Sequence, residues 1–226
     1  MLAVDQNLPF SSPALVIDAS MGRVFAGLLD ADGNWISYQK SELNALEGLF
    51  IAVESCLEEG GLSVKSIHSY IYCEGPGSVL GLRLCAMALR TWQRLSNIET
   101  ALYRFNSLQL CQALIQKDFS NPTDALLVSD WKKGVWHSLG ISRNQISEVR
   151  PIDSSELSQF SGPIYHLPQR KGWQTPPVGA IEIEYQPERL NEIDYKLFSK
   201  CDTVELFSAG ANTFQKWKPE RHRVIQ

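Results

Sequence analysis

The order of elements that hydropathy predicts along this chain restarts halfway, and that restart limits the fold more than any single motif. In the first half, short apolar runs at Ala14–Ile17, Val24–Leu29 and Trp35–Tyr38 are separated by turns and read as three antiparallel strands. A helix follows over Glu42–Glu59, with Leu46, Leu49, Phe50, Val53 and Leu57 on one face and Gly60-Gly61 as its stop. Ile67–Cys73 is a strand, Val79–Leu95 a helix, Ile98–Phe105 a strand and Ser107–Gln116 a helix. Strands and helices in that order predict a mixed sheet covered by helices.

The order begins again at Ala125–Val128. Asp130 then stands where Asp18 stood, and Gly134 follows it by four residues as Gly22 follows Asp18. Gly134–Ile141 and Gln145–Ile152 read as the next strands, and Asp153-Ser154-Ser155-Glu156 opens a short helix as a capping box. Gln169–Val178 reads as a loop, Pro187–Phe198 as a helix and Val204–Phe207 as a last strand. Two copies of one unit are expected, residues 1–120 and 121–226, with the boundary near Asn121-Pro122.

Composition excludes several classes. At 226 residues, 44% hydrophobic and 20% charged, the chain is an ordinary globular one. No apolar run approaches a bilayer span, and Met1–Phe10 lacks the pattern of a secretory signal, so neither a membrane nor export is expected. The five cysteines form no C-x-x-C pair and read as small buried hydrophobes, which fits a reducing cytoplasm. The net charge is -4, a poor balance for gripping nucleic acid directly. Residues 1–113 hold 7 basic and 11 acidic groups, so all of that charge lies in the first half.

Glu74-Gly-Pro-Gly-Ser-Val-Leu-Gly-Leu-Arg83 joins a strand to a helix, where free N–H groups could seat a phosphate. No Lys-Ser/Thr follows the glycines, so it is not a Walker loop. It lacks the G-x-S-x-G spacing of a nucleophile elbow. Its Gly75, Gly77 and Gly81 are one residue too widely spaced for a dinucleotide loop. No two of His68, His137, His166 and His222 have the spacing by which one helix holds a metal, so no metal and no cofactor are expected.

Asp18-Ala19-Ser20, Leu57-Glu-Glu-Gly-Gly-Leu62, the strand Ile67–Cys73 and Gly75-Pro-Gly-Ser-x-x-Gly-Leu-Arg83 together resemble the TsaB (YeaZ) family of tRNA threonylcarbamoyladenosine biosynthesis proteins. The resemblance is specific over Leu15–Phe105 and reduces to element order beyond Asn121. The chain is a divergent relative: Ala19 stands where the family has Thr, Val79-Leu80 where it has Phe-Thr, and Trp131-Lys132 where it often has Ala-Arg. A His-Ser-Glu stretch common in the family's first helix is absent.

The resemblance implies a duplicated actin/Hsp70-like ATPase fold, related to ribonuclease H, with two mixed sheets flanked by helices. It implies a non-catalytic scaffold that supports a TsaD-type catalytic paralogue, alongside a TsaE-type ATPase, through its first two helices. A homodimer is a further expectation when the chain is alone. The partner-binding candidates are Gly75, Pro76, Gly77, Ser78, Leu80, Gly81, Leu82, Arg83, Met87, Arg90 and Arg94 on the loop and second helix, with Glu47 and Glu54 on the first. Glu47, Glu54 and Glu58 share one helix face, as do Arg83, Arg90 and Arg94, and the two rows are expected to face each other or flank a docking surface. Asp18, Ser20, Gly22, Asp130 and Gly134 are candidate vestiges of nucleotide loops. The competing reading is an active nucleotide enzyme of this fold, a small-molecule kinase or ATPase. A peptidase ranks last, because the chain offers neither a metal motif nor a nucleophile–His–acid set.

Overall fold

The structure, a computed structural model, describes residues 8–119, 124–142, 147–168 and 174–208. The boundary dipeptide Asn121-Pro122, residues 169–173 of the expected loop, His222 and the basic C-terminal stretch lie outside the described residues.

Two mixed sheets repeat one topology. In the first half, β1 (Ala14–Asp18), β2 (Val24–Leu29) and β3 (Trp35–Ser41) form an antiparallel meander. Then β4 (Ser69–Gly75) joins β1 in parallel and β5 (Ala101–Asn106) joins β4 in parallel, giving the order β5-β4-β1-β2-β3. In the second half, β6 (Ala125–Lys132), β7 (Val135–Ile141) and β8 (Arg150–Asp153) repeat the meander. Next β9 (Ile164–His166) adds to β6 and β10 (Ile181–Glu182) to β9, again in parallel, giving β10-β9-β6-β7-β8. The restart in sequence is therefore a restart in space, with Asp18 ending β1 and Asp130 near the end of β6.

The helices are not repeated equally. In the first half α1 (Ala45–Glu59), α2 (Val79–Leu95) and α3 (Ser107–Asp118) are full helices. Asn44 sets the start of α1 three residues later than expected, its side chain accepting the N–H groups of Leu46 and Glu47 at 3.1 and 3.2 Å. The stop comes from Gly61 at φ +63°, not Gly60, and the Leu62 N–H closes on the Leu57 carbonyl at 2.9 Å. In the second half the counterpart of α1 is only α4 (Ser154–Ser158), capped by Asp153.

Three expectations are corrected. The strand expected over Gln145–Ile152 is confined among the described residues to Arg150–Asp153. The helix expected over Pro187–Phe198 is two short 3-10 turns, Pro187–Glu192 and Tyr195–Leu197, broken between them at Ile193 and Asp194. Among the described residues the last strand is not Val204–Phe207 but β11 (Ser199–Cys201), which pairs antiparallel with β5. The chain thus crosses back: its C-terminal described residues belong to the first sheet, and Leu190, Ile193, Tyr195, Leu197 and Phe198 are buried against that sheet with Phe10, Phe25 and Phe105.

One core lies between the first sheet and α1 and α2, built on Leu15, Ile17, Leu49, Val53, Tyr70, Tyr72 and Leu89. Burial of such side chains contributes roughly 1.5–3 kcal/mol each before chain entropy is counted. Cys56, Cys73, Cys85 and Cys111 are buried and Cys201 half-buried, all as thiols. No helix among the described residues is long and apolar enough to cross a membrane.

Candidate functional site

Two features could carry function: a cleft between the halves and an exposed pair of helices.

The cleft has a volume of about 360 Å³ and is lined by Asp18, Met21, Arg23, Phe25, Lys40, Glu182, Glu184, Tyr185 and Glu188 among others. Asp18, at the end of β1, is 2% exposed. Its Oδ1 accepts the Ser20 N–H at 2.7 Å and its Oδ2 accepts the Tyr185 hydroxyl at 2.5 Å. That hydroxyl also approaches the Cys73 sulfur at 3.8 Å. Burial pushes the Asp18 carboxyl above its usual range, against the opposing pull of those hydrogen bonds, and pushes the Tyr185 phenol and Cys73 thiol well above theirs. Arg23 is paired with Glu42 at 3.0 Å, and Lys40 with Glu188.

A nucleotide and its metal, which the kinase or ATPase reading requires, do not fit the described residues of this cleft. The Asp18 carboxylate is spent on a backbone amide and a phenol. Among the described residues four carboxylates, Asp18, Glu182, Glu184 and Glu188, line the cleft against two paired cations. A polyphosphate meets net negative charge from those residues. Among the described residues no group of three His, Cys, Asp or Glu is placed to hold a metal ion.

The glycines explain what the loop residues do. Gly22 and Gly134 sit at φ +76° and +75° with open space where a Cβ would stand, so each serves its own turn. The Gly134 N–H donates to Gln174 Oε1 at 3.1 Å. Asp130 is buried in β6, and beyond it the Trp131 ring stacks on His137, whose imidazole also meets the Phe207 ring edge-on. Gly77 and Gly81 are different. A Cβ at Gly77 would stand 2.4 Å from the Ser20 carbonyl oxygen, and one at Gly81 2.0 Å from that of Ala19. These glycines let the start of α2 press onto the Asp18-Ala19-Ser20 turn. The Ser78 N–H, a donor free to seat a phosphate, instead reaches the Ser20 carbonyl at 2.6 Å. Gly75, at φ +114° and followed by a cis Pro76, is buried with Pro76, Gly81 and Leu82. Of the loop candidates, those four position α2 from beneath and Gly77 and Ser78 are half-buried, while Leu80 is exposed.

The helix pair is the second feature. α1 and α2 pack together, with the Phe50 ring edge-on to Trp92 at 6.3 Å. The apolar face expected of α1 splits: Leu49, Val53 and Leu57 are buried, but Leu46 is 63% exposed and Phe50 51%. On α2, Leu80 and Met87 are each 64% exposed, while Leu82, Cys85, Leu89 and Trp92 are buried. Charge separates as sharply. α1 carries Glu47, Glu54, Glu58 and Glu59 with no basic residue; α2 carries Arg83, Arg90 and Arg94 with no acidic one. No ion pair among the described residues joins the two rows. Arg90 instead donates to the Val204 carbonyl at 2.8 Å.

Sequence reasoning placed Asp18 and the loop but missed Tyr185, Glu182, Glu184 and Glu188. Tyr185 meets Asp18 across 167 residues, a contact with no local signature.

No family model matches the chain, and no curated protein is detectably similar to it in sequence. Among solved structures the chain is similar to YeaZ from Pseudomonas aeruginosa, with a TM-score of 0.57 and 13% identity over 87% of this chain and 100% of that one. It is equally similar to an uncharacterized protein with similarity to peptidase YeaZ from Pseudomonas aeruginosa, with a TM-score of 0.57 and 11% identity over 87% of this chain and 99% of that one. The fold is that of YeaZ, two mixed sheets flanked by helices, as the sequence resemblance implied.

Proposed function

We propose that this chain, which shares the fold of YeaZ, is a scaffold subunit without chemistry of its own. It docks a TsaD-type catalytic paralogue through α1 and α2 in tRNA N6-threonylcarbamoyladenosine modification, alongside a TsaE-type ATPase and in the cytoplasm. The observation that carries the reading is the exposure of Leu46 and Phe50 on the all-acidic α1 and of Leu80 and Met87 on the all-basic α2. Exposed apolar side chains of that kind favour association, and opposite charge on the two helices favours one orientation of the partner. A paralogue with the same helix pair, related by a pseudo-two-fold axis, would set acidic α1 against a basic helix and the reverse.

The absence of chemistry is supported by the cleft, where Tyr185 already holds the Asp18 carboxylate. The test is co-expression with the TsaD-type protein of the same organism, followed by mass measurement and an assay of the lone chain for ATP turnover. A stable heterodimer with no turnover by the lone chain is expected. Turnover by the lone chain that is lost in Asp18→Asn would establish the kinase or ATPase reading instead.

A further inference from the structure

On the flank of α2 away from α1, the chain builds a groove of about 580 Å³. One wall is α2, through Arg83, Ala86, Met87 and Arg90. The other is residues 204–206. That second wall is held firmly. The Tyr72 hydroxyl donates to the Glu205 carbonyl at 2.8 Å and accepts the Glu205 N–H at 3.0 Å. Arg90 binds the Val204 carbonyl, and Leu206 packs on the core. The Glu205 carboxylate is drawn to Arg104 at 3.2 Å.

The groove is a cationic spot in an acidic half. Of the seven basic residues in 1–113, Arg83 and Arg90 line it and Arg94 lies further along α2, Arg23, Lys40 and Arg104 are each paired with glutamate, and Lys65 is exposed in the turn before β4. Arg83 is exposed and makes no hydrogen bond or ion pair among the described residues. Met87 beside it is exposed, and Leu206 half-buried. A rigid wall, an apolar floor and an unpaired guanidinium fit an acidic segment with one apolar anchor. The chain's own C-terminal stretch is a poor occupant on charge: residues 216–226 hold four basic groups and one acidic, the same sign as the groove.

We propose that this groove receives an acidic segment of the docking partner, its apolar residue seated on Met87 and Leu206 and its carboxylate on Arg83. This rests on the docking reading above and adds a second point of attachment beyond the exposed Leu46 and Phe50 of α1.

The test is titration calorimetry of the full chain with the purified TsaD-type protein, using four variants checked for unchanged melting temperature. Arg83→Glu and Met87→Glu are expected to weaken binding about tenfold. Glu205→Gln removes the groove's acidic group, while Arg104 keeps Glu74 at 3.4 Å. It is expected to tighten binding about threefold, a gain that misfolding cannot mimic. Leu46→Glu reports on the α1 side of the docking surface alone. Loss of binding in Leu46→Glu, with Arg83→Glu and Glu205→Gln unchanged, keeps the docking reading and overturns the groove. No binding by the unaltered chain overturns both. The same shifts appearing in self-association without the partner would assign the groove to a second copy, and tighter binding after deletion of residues 209–226 would assign it to the chain's own end. Either overturns the proposal.

Discussion

The Tyr185 hydroxyl donates to Asp18 Oδ2 at 2.5 Å, and so one hydrogen bond in the floor of the cleft ties the second half of the chain to the end of β1 in the first. With Ser20 on Oδ1, both oxygens of a buried carboxylate are engaged by the protein itself. Removing the hydroxyl in Tyr185→Phe leaves Oδ2 buried without its donor. That is expected to cost about 1–3 kcal/mol in urea unfolding. Asp18→Asn keeps an acceptor for Ser20 and a donor toward Tyr185, so it should be tolerated. In a cycle with Asp18→Ala, which removes the acceptor altogether, the losses of the two single variants should sum to more than that of the double variant. A fully additive cycle would mean that the two side chains do not interact.

The same carboxyl sets a pH dependence. Its folded pKa lies above the unfolded value of 3.8, because burial disfavours the charge. Between those two values the folded state holds a proton that the unfolded state has released, so Asp18 lowers stability as pH rises through that window. Asp118 and Glu192 act in the opposite direction. Arg189 holds both below their usual range, and their contribution is lost as pH falls. Melting temperatures of the native chain and Asp18→Asn should therefore diverge, with the variant relatively more stable at about pH 7 than at about pH 4. A constant difference across that range would contradict the raised pKa.

The two kinds of glycine predict different costs. Gly81→Ala puts a methyl group against the Ala19 carbonyl and should destabilise by about 1–3 kcal/mol through overpacking. Gly22→Ala meets no neighbour and should cost only about 1 kcal/mol for its left-handed backbone. Thermal unfolding of both variants ranks them. The reverse order would mean that α2 does not depend on close approach to the Asp18-Ala19-Ser20 turn.

Much of this was legible in the sequence, and for definite reasons. Val79–Leu95 is a helix with the bounds its periodicity gives, because Ser78 caps it and Ser96 ends it. The restart at Ala125 predicted a second sheet, and the two strand orders match. Leu46 and Phe50 share the expected apolar face with Leu49, Val53 and Leu57 yet are exposed, since periodicity marks an apolar face without showing what covers it. The 3-10 turns at 187–197 and the return of Ser199–Cys201 to β5 escaped notice. Apolar residues at helical spacing there serve a distant sheet, and contacts spanning about a hundred residues leave no local pattern.

Thiol chemistry offers an independent check on burial. Burial pushes the Cys56, Cys73, Cys85 and Cys111 thiols above their ordinary range. Cys201 is raised too, but it alone is half-buried. A thiolate-selective reagent should modify Cys201 first in the native protein, and the other four only after unfolding. Rapid native modification of Cys73 would mean that the cleft floor opens, contradicting a closed Asp18–Tyr185 contact.

The most direct test of the docking account is the mass in solution of the chain mixed with the TsaD-type protein, compared for the native chain and Leu46→Glu/Phe50→Glu. Both side chains are about half or more exposed, so the variant should keep its melting temperature within a few degrees. The account predicts a 1:1 complex for the native chain and separate species for the variant. A complex formed equally well by both would place the partner elsewhere and contradict the claim that α1 and α2 are the docking surface.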